Sequence, residues 1–73
     1  MKDRIIQIVS KVSGKNTTIF EAAPDTEKLW TSLNHFEIVL ALEEEFNIHL
    51  STEEIVEMTS INAIEALIVR KVS

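Results

Sequence analysis

Residues 32–46 read SLNHFEIVLALEEEF, and their apolar residues recur at the spacing of a helix. Ala41, Leu42 and the three glutamates after them are strong helix formers. Two apolar stripes run along this helix: Ile38, Val39, Leu42 and Phe46 form the first, and Leu33, Phe36 and Leu40 the second. One stripe is enough to bury a helix. The second is either additional core or an exposed docking strip, and in so small a domain it cannot all be core.

The segment before this helix predicts a first helix and a long connection. Apolar spacing predicts a helix over roughly residues 2–13, ending at Gly14, with an inward stripe of Ile5, Ile8, Val9 and Val12. Residues 15–31 form the connection, in which Thr18 and Glu21 have the spacing of a capping box and favour a short helical turn. Its apolar anchors are Ile19, Phe20, Leu29 and Trp30, and we expect Phe20 to be buried.

Two more helices are predicted after residue 46. Ser51 and Glu54 form a capping box that opens a short third helix, with Ile55 and Met58 facing inward. Ser60 is a good N-cap for a last helix to about residue 71, whose stripe consists of Ile61, Ile64, Leu67 and Ile68. The prediction is an all-α fold: one domain over residues 1–73, built as a small bundle of three main helices and one short one.

Length and composition exclude several classes of protein. A chain of 73 residues buries only about 60% of its unfolded surface, too little for a core and a deep catalytic cleft, so we do not expect an enzyme. The absence of Cys excludes a disulfide framework and a thiolate nucleophile, and two histidines separated by thirteen residues do not predict a metal site. No apolar run approaches a membrane span and the N-terminus lacks a signal-peptide layout, so we expect a cytoplasmic protein.

Charge is distributed unevenly along the chain. Residues 29–69 contain eight Glu and neither Lys nor Arg, and the whole chain has a net charge of −5. Such an acidic stretch repels nucleic acid and anionic lipid surfaces and attracts basic protein surfaces. It is also typical of a solvated helix face that keeps a small domain soluble.

Few residues have the spacing of a catalytic site. Ser32 and His35 lie three apart on one helix face, but no group that would orient the imidazole and no oxyanion hole is recognisable. His49, in a connection between helices, is predicted to be a surface residue. The side chains of the glutamates at 43–45 diverge around a helix and cannot all face one ligand.

Ser32 has two interpretations. Thr31 can cap the helix, which leaves Ser32 at the first helical position with its hydroxyl pointing outward beside unpaired backbone N–H groups. A phosphate attached there would lie at the positive end of the helix dipole. Alternatively, Ser32 is itself the N-cap, which is the simpler interpretation of the spacing alone.

The segment from Ser32 to Phe46 strongly resembles the second helix of bacterial acyl carrier proteins. In that family an Asp-Ser-Leu motif begins the helix and a stretch like Ala-Leu-Glu-Glu-Glu-Phe ends it. Residues 52–54, Thr-Glu-Glu, and 59–61, Thr-Ser-Ile, fall where the family has its short third helix and the start of its fourth. The likeness covers about residues 31–70, while residues 1–28 match only as an amphipathic helix and a loop.

The resemblance implies a non-catalytic carrier with a phosphopantetheine arm attached to Ser32, whose terminal thiol holds an acyl group as a thioester. It implies that partner enzymes with basic patches recognise a docking face formed by Leu33, Phe36, Glu37, Leu40 and Glu44. A sequestered acyl chain would lie between the second and third helices against Leu42, Leu50, Ile55, Met58 and Ile64. The implied partners are a phosphopantetheinyl transferase and acyl-loading and acyl-processing enzymes, and the carrier is expected to be a monomer.

The chain departs from the family pattern just before the serine. Thr31 replaces the usual Asp, which preserves the cap but removes a charge that the transferase normally meets, and Leu29 and Trp30 stand where Gly is common. We therefore expect a specialised carrier of a fatty-acid, polyketide or other acyl pathway. A carrier of aminoacyl or peptidyl groups is an alternative. Another is an unmodified helical interaction domain that has lost the carrier role, which Thr31 favours and Ser32 with Leu33 disfavours.

Overall fold

A computed structural model describes residues 1–27 and 29–72 of the chain. Over these residues the chain forms five helices and no strand: α1 (Lys2–Ser13), α2 (Thr17–Ala22), α3 (Ser32–Phe46), α4 (Thr52–Glu57) and α5 (Ile61–Val72). The predicted all-α class is confirmed, as a small bundle of three long helices with short ones between them. None of the described helices is both long and apolar enough to cross a membrane.

Most helix ends follow the predicted local signals. Gly14 follows α1 in the left-handed conformation (φ 72°) and its N–H donates to the Ser10 carbonyl at 2.9 Å. The capping box of α4 is present, because Ser51 Oγ accepts from the Glu54 N–H and Glu54 Oε1 accepts from the Ser51 N–H. Ser60 Oγ accepts from the Ala63 N–H at 3.1 Å and so caps α5 as predicted.

The short helix α2 is real, but its cap differs from the predicted one. The helix begins at Thr17, and Asn16 caps it by accepting a hydrogen bond from the Thr18 N–H at 3.0 Å. The prediction that Thr18 opens this turn is therefore wrong by two residues. Asn16 is extended (φ −67°, ψ 143°), the backbone conformation that an N-cap requires.

The core lies where α1, α3 and α5 meet. Helix α1 packs against α2, α3 and α5, and α4 packs against α5. Phe20 of α2 is completely buried, as predicted. The buried apolar residues are Ile5, Ile6, Ile8, Val9, Phe20, Ile38, Val39, Leu42, Leu50, Met58, Ile61, Ile64, Leu67 and Ile68.

An ion pair fastens the end of α5 to the start of α4. Lys71 Nζ donates to both carboxylate oxygens of Glu54 at 2.8 Å. These hydrogen bonds and the one from the Ser51 backbone lower the pKa of Glu54 from 4.5 to about 2. Because the folded state holds this carboxyl ionised, the pair stabilises the fold above about pH 4.5, and that contribution is lost as the pH falls to about 2.

We expect the Glu54→Gln variant to be less stable than wild type at pH 7 and to approach it as the pH falls toward 2. Gln at this position still completes a capping box, so the substitution removes chiefly the charge. Urea unfolding at several pH values measures the difference. Glu57→Gln is the control, because Glu57 pairs with Arg70 at a far more exposed position. A loss in Glu54→Gln that stayed constant from pH 7 to 2 would contradict this assignment.

Candidate functional site

The start of α3 decides between the two interpretations of Ser32. Thr31 is extended (φ −78°, ψ 167°), its Oγ1 accepts from the Asn34 N–H at 3.1 Å, and its carbonyl accepts from the His35 N–H at 2.9 Å. Thr31 is therefore the N-cap and Ser32 is the first residue of the helix. The Ser32 side chain is exposed, and its hydroxyl makes no hydrogen bond to any other described residue.

A shallow depression of about 200 Å³ lies beside Ser32. Its walls come from the loop before α3, from the first turn of α3 and from the end of α4. The lining residues are Glu27, Trp30, Thr31, Ser32, His35, Val56, Met58 and Thr59. Groups attached to Ser32 would thus meet a surface built from three separate segments of the chain.

Trp30 and His35 form a polar bridge at the edge of this depression. The Trp30 Nε1–H donates to His35 Nδ1 at 2.9 Å, and the other ring nitrogen of His35, Nε2, lies 2.8 Å from the Ile55 carbonyl oxygen. The two rings are nearly parallel, with an interplanar angle of 10° and centroids 6.3 Å apart. Both ring nitrogens of His35 therefore have hydrogen-bond partners within this bridge.

The second stripe of α3 is exposed rather than part of the core. Leu33, Phe36 and Leu40 are 73%, 65% and 53% exposed, and we call these three residues the docking strip. Glu37 and Glu44, the acidic members of the predicted docking face, are exposed on the same helix. The structure thus leaves all five predicted docking residues accessible.

Val56 is a further exposed apolar residue, which the sequence prediction does not include. It is 71% exposed on α4 and lines the depression beside Ser32. A signal is present, since Ile55 and Met58 are predicted to face inward, which turns the two residues between them, Val56 and Glu57, outward.

The three glutamates near the end of α3 point in different directions, as predicted. Glu43 Oε2 accepts from the Leu50 N–H at 2.8 Å and fastens the following loop, whereas Glu44 is exposed. Glu45 accepts from Arg4 of α1 at 2.7 Å, and this hydrogen bond lowers the pKa of Glu45 and raises that of Arg4. His49 is exposed on the loop, as predicted.

The five residues predicted to surround an acyl chain lie in or against the core. Leu42, Leu50, Met58 and Ile64 are buried, and Ile55 is half-buried against them. Of the five, Met58 alone lines the depression beside Ser32. None lines a second, larger depression of about 530 Å³ between α1 and α3. A chain bound among these residues would have to displace packed side chains, so their role stays a prediction.

Comparison of the sequence with models of known protein families found no match, and comparison with curated proteins found no similar sequence.

Proposed function

We propose that this protein is a carrier that holds acyl groups as thioesters on a phosphopantetheine arm attached to Ser32 and delivers them to partner enzymes. The observation that carries the proposal is the exposed hydroxyl of Ser32 at the first position of α3, beside the exposed docking strip. The pathway would be fatty-acid, polyketide or another specialised acyl pathway. A reducing cytoplasm is the compartment in which the thiol of the arm stays free.

The residues around Ser32 are compatible with an attached phosphodiester. Thr31 performs the capping, so the Ser32 hydroxyl is left free for attachment. The first turn of α3 contains no acidic residue that would repel a phosphate. Unpaired backbone N–H groups and the helix dipole make this end of α3 favourable for an anion.

The chain itself supplies position and recognition, not reactivity. It contains no Cys, and the arm supplies the thiol when bound. Both ring nitrogens of His35 are engaged in hydrogen bonds to Trp30 and Ile55 rather than to Ser32. We therefore propose a protein without catalytic activity, on which a phosphopantetheinyl transferase acts as a partner.

The docking strip and its acidic neighbours suit partner enzymes that carry a basic patch. Leu33, Phe36 and Leu40 offer an apolar centre, and the carboxylates of Glu37 and Glu44 offer a negative rim. Opposite charges speed encounter more than they tighten binding, and small interfaces dissociate quickly. Both properties suit a carrier that must release each acyl-loading or acyl-processing enzyme in turn.

Co-expression with a broad-specificity phosphopantetheinyl transferase, followed by measurement of the intact mass, tests the proposal. We expect wild type to gain the mass of one phosphopantetheine group and Ser32→Ala to gain none. Thr52→Ala is the matched control, because Thr52 is the exposed first residue of α4 after its own N-cap, as Ser32 is in α3. It should gain mass like wild type. A gain that survives in Ser32→Ala would refute the attachment site.

The mass measurement and loading assays also distinguish two alternative functions. An unmodified interaction domain, which the replacement of Asp by Thr31 favours, would show no mass gain in wild type. An aminoacyl or peptidyl carrier would be modified in the same way, and its cargo would differ. Loading assays on the modified protein, with acyl and aminoacyl donors compared, distinguish these two kinds of carrier.

A further inference from the structure

The bridge between Trp30, His35 and Ile55 joins three segments that are separate in sequence. Trp30 lies in the loop before α3, His35 lies in α3, and Ile55 lies in the last turn of α4. An indole N–H only donates a hydrogen bond and a carbonyl oxygen only accepts one. His35 must therefore be neutral in this bridge. Its Nδ1 is unprotonated and accepts from Trp30, and its Nε2 carries the proton and donates to the Ile55 carbonyl.

We propose that His35 is a proton-dependent latch, in which a proton on Nδ1 detaches Trp30 while the bond from Nε2 to α4 stays in place. In the imidazolium both ring nitrogens carry a proton, so Nδ1 no longer accepts from the indole and two donors face each other. Nε2 donates in both states and keeps the Ile55 carbonyl as its acceptor. The latch therefore opens on one side only, and it does so whether or not Ser32 is modified.

The charges of the residues around His35 are compatible with a proton on its ring. The loop contributes Glu27, the one carboxylate among the described residues that line the depression. The end of α4 and the segment after it contribute Val56, Met58 and Thr59, which carry no charge. The Ile55 carbonyl, which also accepts from the Met58 N–H at 3.3 Å, lies in the last turn of α4, where the helix dipole favours a cation.

Opening of the latch would change the surface beside Ser32. Trp30 forms part of the wall of the depression that Ser32 also lines, and its ring lies 6.2 Å from that of Phe20. Without the bond to His35, the contact with Phe20 and the partly buried position against the core are left to hold the indole. Acidification would thus free the loop at the mouth of the site and leave the buried core intact.

The chain contains one Trp and two His, which makes the latch directly measurable. The experiment is a titration of the wild-type protein from about pH 8 to pH 5. Over this range we expect the indole N–H resonance of Trp30 to move and its fluorescence emission to shift to longer wavelength. Both changes should have the same pH midpoint as the change in the ring resonances of His35. The helical circular dichroism should stay constant, because Glu54 loses its charge only at lower pH.

Two variants identify the titrating group. In His35→Gln the response of Trp30 should disappear, and in His49→Gln, which removes the exposed histidine, it should remain. Glu27→Gln should keep the response, since the Glu27 carboxylate favours the protonated form of His35 but is not part of the bridge. A response that persists in His35→Gln, or that vanishes in His49→Gln or Glu27→Gln, would overturn the latch. If His35→Gln does not fold, the wild-type titration still tests the latch. Different pH midpoints for His35 and Trp30, or a loss of helical circular dichroism that accompanies the fluorescence shift, would overturn it.

Discussion

Replacement of Leu42 by Ala is expected to lower the free energy of unfolding by about 2–5 kcal/mol. Leu42 is completely buried among the core residues of α3, so the truncation removes apolar contacts and leaves a cavity. Ala forms helix at least as well as Leu, which means that the loss comes from packing and not from α3 itself. Small domains have only about 5–15 kcal/mol of stability, so the variant would be close to unfolding at elevated temperature.

Leu40→Ala is the matched control for this prediction. Leu40 lies on the same helix two residues earlier and is 53% exposed. The same chemical change there should cost about 0.5 kcal/mol or less. Urea unfolding of both variants gives the comparison. Equal losses would mean that the two stripes of α3 do not differ in burial in solution, and would contradict the separation of core from docking strip.

Local signals predicted most of the helices because they act within one turn. The bounds of α3 agree with the prediction at both ends, and the caps at Gly14, Ser51 and Ser60 are the predicted ones. The start of α2 was misplaced because several polar residues in a row can cap a helix, and Asn16 takes the role that spacing assigned to Thr18. The same degeneracy makes Ser32 the simpler N-cap by spacing alone, whereas the backbone shows that Thr31 is the cap.

Contacts between distant segments were beyond prediction from spacing. Trp30 was predicted only as an apolar anchor, since nothing in the sequence indicates that its indole N–H meets His35 or that His35 also reaches Ile55, twenty residues further on. The pair of Lys71 and Glu54 likewise depends on how α5 packs against α4. The depression beside Ser32 exists only because these elements come together.

Replacement of Thr31 by Asp is expected to raise the rate of phosphopantetheine attachment to Ser32 about tenfold at low salt, which corresponds to about 1.4 kcal/mol. Acyl carrier proteins, which this segment resembles, usually have Asp before the modified serine, and Thr31 keeps the cap without the charge. An added carboxylate next to the attachment site would attract a transferase with a basic surface. The initial rate of mass gain, measured at low and high salt, reports this effect.

Thr31→Asn separates the charge from the cap. Asn and Asp both cap helices at least as well as Thr, so both variants should keep α3 and unfold within about 1 kcal/mol of wild type. Asn adds no charge and should leave the rate near that of wild type, and high salt should reduce the advantage of Asp because it screens the new carboxylate. Equal rates for the two variants would show that the added charge does not control the rate of attachment. In that case the missing charge before Ser32 would not limit the rate of the proposed modification.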